Sequence, residues 1–444
     1  MKNFKSLILG SAAAMFAVAG AQAADLPVKA KPVEYVKVCS AYGAGFYYIP
    51  GTDICLRVGG FLFSDFSVNN RGDTGNLGTG ATRDRTDDWT AFRIRSSMIF
   101  DARTNTEYGT LRSYLSAGFQ WDTAANGQTW SQANTGNSSW YWNAAFIQFA
   151  GFTFGLAGSF FDFVPHMTMF TFSSKSVSTS PMIAYTAQLG QGISASISME
   201  DGTARRSRIL AGGYDPTTAG TDLYAAQFMP DFIANIRVSQ AWGDAQIAGA
   251  IHQVKINDVT PAPNSVEYGY AFLGGLNFKL PMIGANDSFQ IEGVWSKGAV
   301  AFTGINASSY TKASTLSYVT SNGGPFFNPM DAYATGGAAG MELTKAYSVN
   351  AQFRHFWTPT LRSTIGYGYL KVDTPSAGNT AGFPDARLHQ VVGNLIWSPV
   401  KNLDIGTELY WNDLKTSGTT ALAGAPANDS QSWWGGAFRV TRYW

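Results

Sequence analysis

The stretch QGISASISMED (191–201) puts Ile193, Ala195, Ile197 and Met199 on one parity and Ser194, Ser196, Ser198 and Glu200 on the other. A period of two describes an extended strand with one apolar and one polar face. The same alternation runs through FIANIRV (232–238), LRSTIGYGY (361–369) and LDIGTELYW (403–411). It predicts eight strands in the first half of the chain, at 56–69, 89–103, 107–121, 140–149, 152–158, 181–189, 192–200 and 229–241. Eight more are predicted at 245–256, 267–280, 288–297, 345–356, 361–372, 386–397, 403–412 and 433–444.

The connections alternate in length. Short ones include RTNTE (103–107), Ala150-Gly151, Gly190-Gln191, Trp242-Gly243-Asp244, MIGAND (282–287), WTPT (357–360) and SPVKN (398–402). Long ones fall near 70–88, 122–139, 159–180, 201–228, 257–266, 298–344, 373–384 and 413–432. Seven turns and eight loops are what sixteen antiparallel strands require when both ends lie on one side. Loops this long are uncommon inside compact soluble domains, whereas membrane barrels pair short turns with long outer loops. Nearly every strand has one face of Ser, Gly, Gln, Asn, Arg or Glu, so the apolar faces have no partner layer but lipid. The predicted fold is all-β: a transmembrane antiparallel barrel of sixteen strands, aliphatic outside and polar inside, with no sheet edge exposed to lipid.

Composition adds to this picture. The 48 glycines, 30 phenylalanines, 20 tyrosines and 13 tryptophans, with 14% charged residues, suit aromatic-rich strands. Trp242, Trp357, Trp397, Trp411 and Trp444 fall at predicted strand ends or turns, where indole rings anchor at a membrane interface. Beyond residue 23 no apolar run is long enough for a helical span. Lys2 and Lys5 precede the apolar run 7–21 and the small residues Ala21-Gln22-Ala23, the pattern of a secretory signal cleaved after Ala23. A balance of 31 basic against 30 acidic residues argues against a nucleic-acid partner. In an exported chain the two cysteines, Cys39 and Cys55, most simply form a disulfide; a metal site is the alternative, but no histidine stands near either thiol. The expected organisation is a signal peptide (1–23), an N-terminal periplasmic segment with the cysteine pair (24–55) and the barrel (56–444).

The segment VCSAYGAGFYYIPGTDICLRVGG (38–60) resembles the N-terminal signature of the alphaproteobacterial porin family at Cys39, Tyr42, Gly43, Phe46 to Gly51, Cys55, Gly59 and Gly60. The preceding AADLPVKA, the stretch NLIWSPVKNLDIGTELYWN (394–412) and the aromatic C-terminus SWWGGAFRVTRYW are similar to it as well. The resemblance covers essentially the whole mature chain. It implies a general porin, a homotrimer in the outer membrane of a Gram-negative bacterium, passing small hydrophilic solutes and ions, with the third long loop (159–180) folded into the bore.

Strand parity names the wall charges. Arg93 and Arg95 share the inward face of FRIRSSMIF, Arg112 that of the next strand, Arg57 and Asp65 that of the first and Arg439 that of the last. Barrel closure brings these arginines into one basic sector. Across the bore the third loop carries Asp162 and Lys175, and Glu292 and Glu408 lie inward on other strands, where they could compensate for the loop's thin acidic content. The expected pore is wide and weakly selective, with a mild anion preference. No catalytic, cofactor or metal site is predicted: His166, His252, His355 and His389 are dispersed, and no HExxH or GxSxG pattern occurs. The alternative is a substrate-specific channel that grips sugars through its aromatic strands and the long 298–344 loop. Small residues alternating with phenylalanine in 144–158 suggest a protein-facing wall for the trimer.

Overall fold

The computed structural model describes residues 37–68, 90–122, 137–169, 172–211, 224–256, 265–305, 329–335, 340–380, 383–418 and 429–444. The expected signal peptide and its Ala23 cleavage site lie outside these residues. The described residues form sixteen long strands: β1 Cys55–Val68, β2 Thr90–Thr106, β3 Gly109–Asp122, β4 Asn137–Phe149, β5 Phe152–Gly158, β6 Thr179–Gly190, β7 Ile193–Glu200 and β8 Asp231–Gln240. They continue as β9 Gly243–Lys255, β10 Val266–Lys279, β11 Ser288–Lys297, β12 Lys345–Thr358, β13 Leu361–Asp373, β14 Asp385–Val400, β15 Leu403–Ser417 and β16 Asp429–Tyr443. Each pairs antiparallel with the next, and β16 pairs with β1 from Phe61↔Tyr443 to Val68↔Gly436. Closure leaves the sheet no open edge, the condition for crossing a bilayer with strands. Every predicted strand is present. β15 runs on to Ser417, so Trp411 lies within a strand and not at its end, where the sequence reading put it.

Short hairpins join the strands at one end of the barrel. At the β4–β5 turn Ala150 (φ 50°) and Gly151 (φ 87°) both adopt the left-handed conformation, the primed turn whose twist matches that of the flanking strands. The same end holds the N-terminal segment. There Cys39 and Cys55 are disulfide-bonded, and Tyr47–Tyr48 adds two residues of ladder to the start of β1.

The alternation maps onto the two faces as lipid requires. In β7, Ile197 is 64% exposed on the outside, while Ser196 and Ser198 are buried on the inside. Ile247, Phe272, Ile365 and Leu409 continue the outer belt on other strands. Exposed tryptophans mark both rims: Trp242, Trp357, Trp397 and Trp444 near the short turns, and Trp121, Trp140 and Trp434 toward the long loops. Arg442 interrupts the outer face of β16, and its guanidinium reaches the turn carbonyls of Lys401 (3.0 Å) and Asn402 (3.2 Å), snorkelling to the rim.

Inside, the wall is not uniformly wet, and this the sequence reading had not foreseen. Ile233, Ala248, Leu273 and Val294 receive Phe161 and Phe163 from the third loop and Phe302 from the sixth. Val300 and Ile305 of the sixth loop pack on Leu370, Val372 and Leu388. The two long loops are seated on apolar patches of the inner wall. Asp331 ties the sixth loop to the fourth: its carboxylate accepts from the amides of Ser207 (2.7 Å) and Val300 (2.9 Å) and from the Tyr224 hydroxyl (3.0 Å). Burial pushes this carboxyl up to about 6, against the opposing pull of His252 and the two amides.

Candidate functional site

The third loop (159–178) leaves β5 and runs along the inner wall instead of projecting outward. Almost every strand it passes supplies a polar side chain to its backbone. Glu200 of β7 accepts from Phe160 N (2.9 Å), Asn235 of β8 donates to Phe160 O (2.6 Å) and Gln246 of β9 donates to Phe161 O (3.0 Å). Farther along, Gln352 of β12 accepts from Met167 N (2.7 Å), Glu408 of β15 from Met169 N (2.6 Å) and Gln390 of β14 from Ser173 N (2.9 Å). Glu292 of β11 takes both the Lys175 ammonium and the Ser176 amide. These inward Gln and Glu side chains are therefore loop tethers. Glycines make room for the loop's aromatics: Gly366 and Gly368 have no side chain where Phe172 lies across them.

These tethers change the part the acids play. Glu292 and Glu408, which the sequence reading offered as a compensating field, lie buried beneath the loop with their oxygens engaged. Asp162 pairs with Arg205 (2.6 Å) and accepts from Ser176 Oγ and Ser178 N. Lys175 is neutralised by Glu292 and is 1% exposed. Among the described loop residues no acid is left over to face the bore.

The wall across the gap is basic, and at its edge Arg439 reaches the loop, donating to Met169 O (3.3 Å). Arg57, Arg93, Arg95, Arg112 and Arg439 all fall on the inward parity of β16, β1, β2 and β3, and two carboxylates divide the row. Asp65 accepts from Arg439 Nε and Nη2 and stands opposite Arg93 in the ladder. Asp101, fully buried, holds Arg103 (2.8 Å) and Arg112 (3.0 Å), with Arg57 at 3.9 Å. Arg95 donates to Gln120 (2.6 Å) and lies over the rings of Phe63 and Tyr141. At the short-turn mouth the disulfide-linked segment inserts Phe46 beneath Arg57 and Arg103, with ring-to-guanidinium distances of 5.3 and 4.9 Å.

Sequence reasoning missed Asp101, Arg103, Arg205, Arg354, Arg362 and Asp404. Asp101 and Arg103 carry the same parity as Arg93 and Arg95, so that signal was present. Arg354 and Arg362 likewise share the inward parity of β12 and β13, near the short turns. Arg205 sits on a loop where no periodicity points to it. The histidines occupy four separate settings: His166 on Thr168 O in the third loop, His252 on Asp231, His355 on Asp287 and His389 on Tyr367.

A closed sixteen-strand sheet with an aliphatic belt, aromatic rims and a charged inner wall defines an outer-membrane barrel of a Gram-negative cell. The Porin subfamily model matches residues 25–436, and the chain belongs to that family. It is 36% identical over 256 residues to porin Omp2b of Brucella melitensis, a match covering 56% of this chain and 65% of that protein. The porin Omp2b of Brucella abortus is 35% identical over the same length and shares. Both matches thus span just under two thirds of the relative's length. Among solved structures, the outer membrane channel DcaP of Acinetobacter baumannii superposes with a TM-score of 0.63 at 18% identity, covering 89% of this chain and 99% of that one. That likeness concerns the fold alone.

Proposed function

We propose that the barrel passes small hydrophilic solutes and ions down their gradients across the outer membrane, with weak size selection and a mild preference for anions. One observation carries this reading: the third loop lies inside the barrel with its described acids consumed in tethers, opposite a wall of inward arginines. Passive permeation requires only an aqueous gap and a field across it. In this reading the gap between loop and arginine wall is the constriction. Asp65 and Asp101 offset part of the basic charge, which keeps the preference mild.

Planar-bilayer recordings in a KCl gradient test the proposal. The expected result is ohmic channels whose reversal potential lies on the chloride side of zero. Strong cation selectivity would overturn the assignment of the arginine wall as the dominant charge. We further read the outward faces of β4 and β5, where Trp142, Ile147, Phe152 and Phe154 are exposed, as the contact surface of a homotrimer. A monomer by light scattering in mild detergent contradicts that part alone. Residues 37–54 lie at the short-turn end, which supports a periplasmic place for the N-terminal segment.

A further inference from the structure

Beneath the third loop, on the short-turn side, lies a cavity of about 340 Å³ on the flank of Arg439 away from β1. Arg354, Arg362 and Arg439 line it together with one carboxylate, Asp404. The remaining lining includes Phe356, Ile396 and Met169, an apolar wall beside the charge. The three guanidiniums differ in what they already hold. Arg362 grips Asp404 (2.6 Å) and donates to Ser398 Oγ (2.8 Å). Arg439 is bound to Asp65. Arg354 has no carboxylate within salt-bridge distance among the described residues, and its one hydrogen bond is a 3.3 Å contact to the Met167 carbonyl. Its Nε is buried without a partner.

A half-buried guanidinium with no carboxylate in salt-bridge contact favours an anion that can reach it. In a soluble core such a group would be selected against; on the wall of a water-filled bore it can take its counter-ion from the passing solute. Arg362 and Arg439 add to the local positive potential, and Asp404 sits on the Arg362 side. The cavity therefore has a cationic corner and an apolar side, which fit a small organic acid: a carboxylate on a short apolar body.

We propose that Arg354 is the centre of an organic-anion subsite just below the constriction, which binds carboxylates in transit and gives them an advantage over inorganic anions. This rests on the porin reading above and names a solute class for it. The subsite meets the arginine row at Arg439 and extends beyond it through Arg354 of β12 and Arg362 of β13.

The test is single-channel recording with benzoate added on the short-turn side of oriented channels. Benzyl alcohol, of the same shape without charge, serves as the comparison. Saturable interruption of chloride current by benzoate, weakened roughly tenfold or more by Arg354→Gln and restored by Arg354→Lys, is the expected result. Equal interruption by benzyl alcohol, unchanged interruption in Arg354→Gln, or a wild-type current that never saturates with benzoate would each overturn it. Should Arg354→Gln fail to insert, the wild-type comparison of the two probes still decides. Loss of all conductance in the wild type would instead contradict the channel reading itself, so the two failures are distinguishable.

Discussion

Replacing Glu292 by Gln removes the charge that holds the third loop to β11. Lys175 and Glu292 are 1% and 2% exposed, so the ammonium left behind has no water to replace its partner. Breaking one side of a buried pair costs about 3–5 kcal/mol. The neighbouring tethers, from Gln352, Glu408 and Gln390 to the amides of Met167, Met169 and Ser173, contribute about 1 kcal/mol each, somewhat more where the acceptor is charged. The penalty therefore matches the sum of the bonds holding the adjacent loop, and residues 172–178 should leave the wall. Single-channel traces of Glu292→Gln are expected to show frequent conductance substates where the wild type is quiet. Proteolysis from the aqueous side should cut within the loop. The double substitution Lys175→Met, Glu292→Gln buries no charge and should recover most of the quiet trace. If the single variant matches the wild type, or the double variant is no better than the single, the loop is not held by this pair.

Other expectations follow from closure and from the N-terminal cap. At Gly60 an added Cβ would stand 2.2 Å from the Ser97 carbonyl and 2.6 Å from the Trp444 ring, so Gly60→Val should block docking of the chain's end on β1. A heat-modifiable folded band of wild-type intensity on electrophoresis would refute this. The Cys39–Cys55 bond closes a sequence separation of 16 residues, for which loop-closure entropy gives roughly 3 kcal/mol. That energy belongs to the cap and not to the ladder, so Cys39→Ser should expose residues 39–54 to protease while the barrel keeps its thermal transition. A joint collapse of cap and barrel would show the two to be one cooperative unit.

The strands were legible in the sequence because lipid on one side and water on the other impose a strict period of two, and no tertiary contact overrides it along the outer face. The inner face is harder to read. Parity tells that Glu292 and Glu408 point inward but not that a loop from β5 will cover them, since nothing local links residue 175 to residue 292. Ile233 and Leu273 look like errors in a polar row until Phe161 and Phe302 are seen to rest on them. Arg354 carried the right parity; that no carboxylate among the described residues comes within salt-bridge distance of it is a property of the closed barrel, which no single strand contains.

The account depends most on which way the two rows of each strand point, and the consecutive residues Ile94 and Arg95 of β2 test it in one experiment. With each replaced by Cys in turn, a charged, membrane-impermeant thiol reagent is applied to channels in a bilayer while current is recorded. Arg95→Cys is expected to react and lose part of its current, and Ile94→Cys to remain unlabelled and unchanged. Ready labelling of Ile94→Cys, with Arg95→Cys inert, would contradict the account.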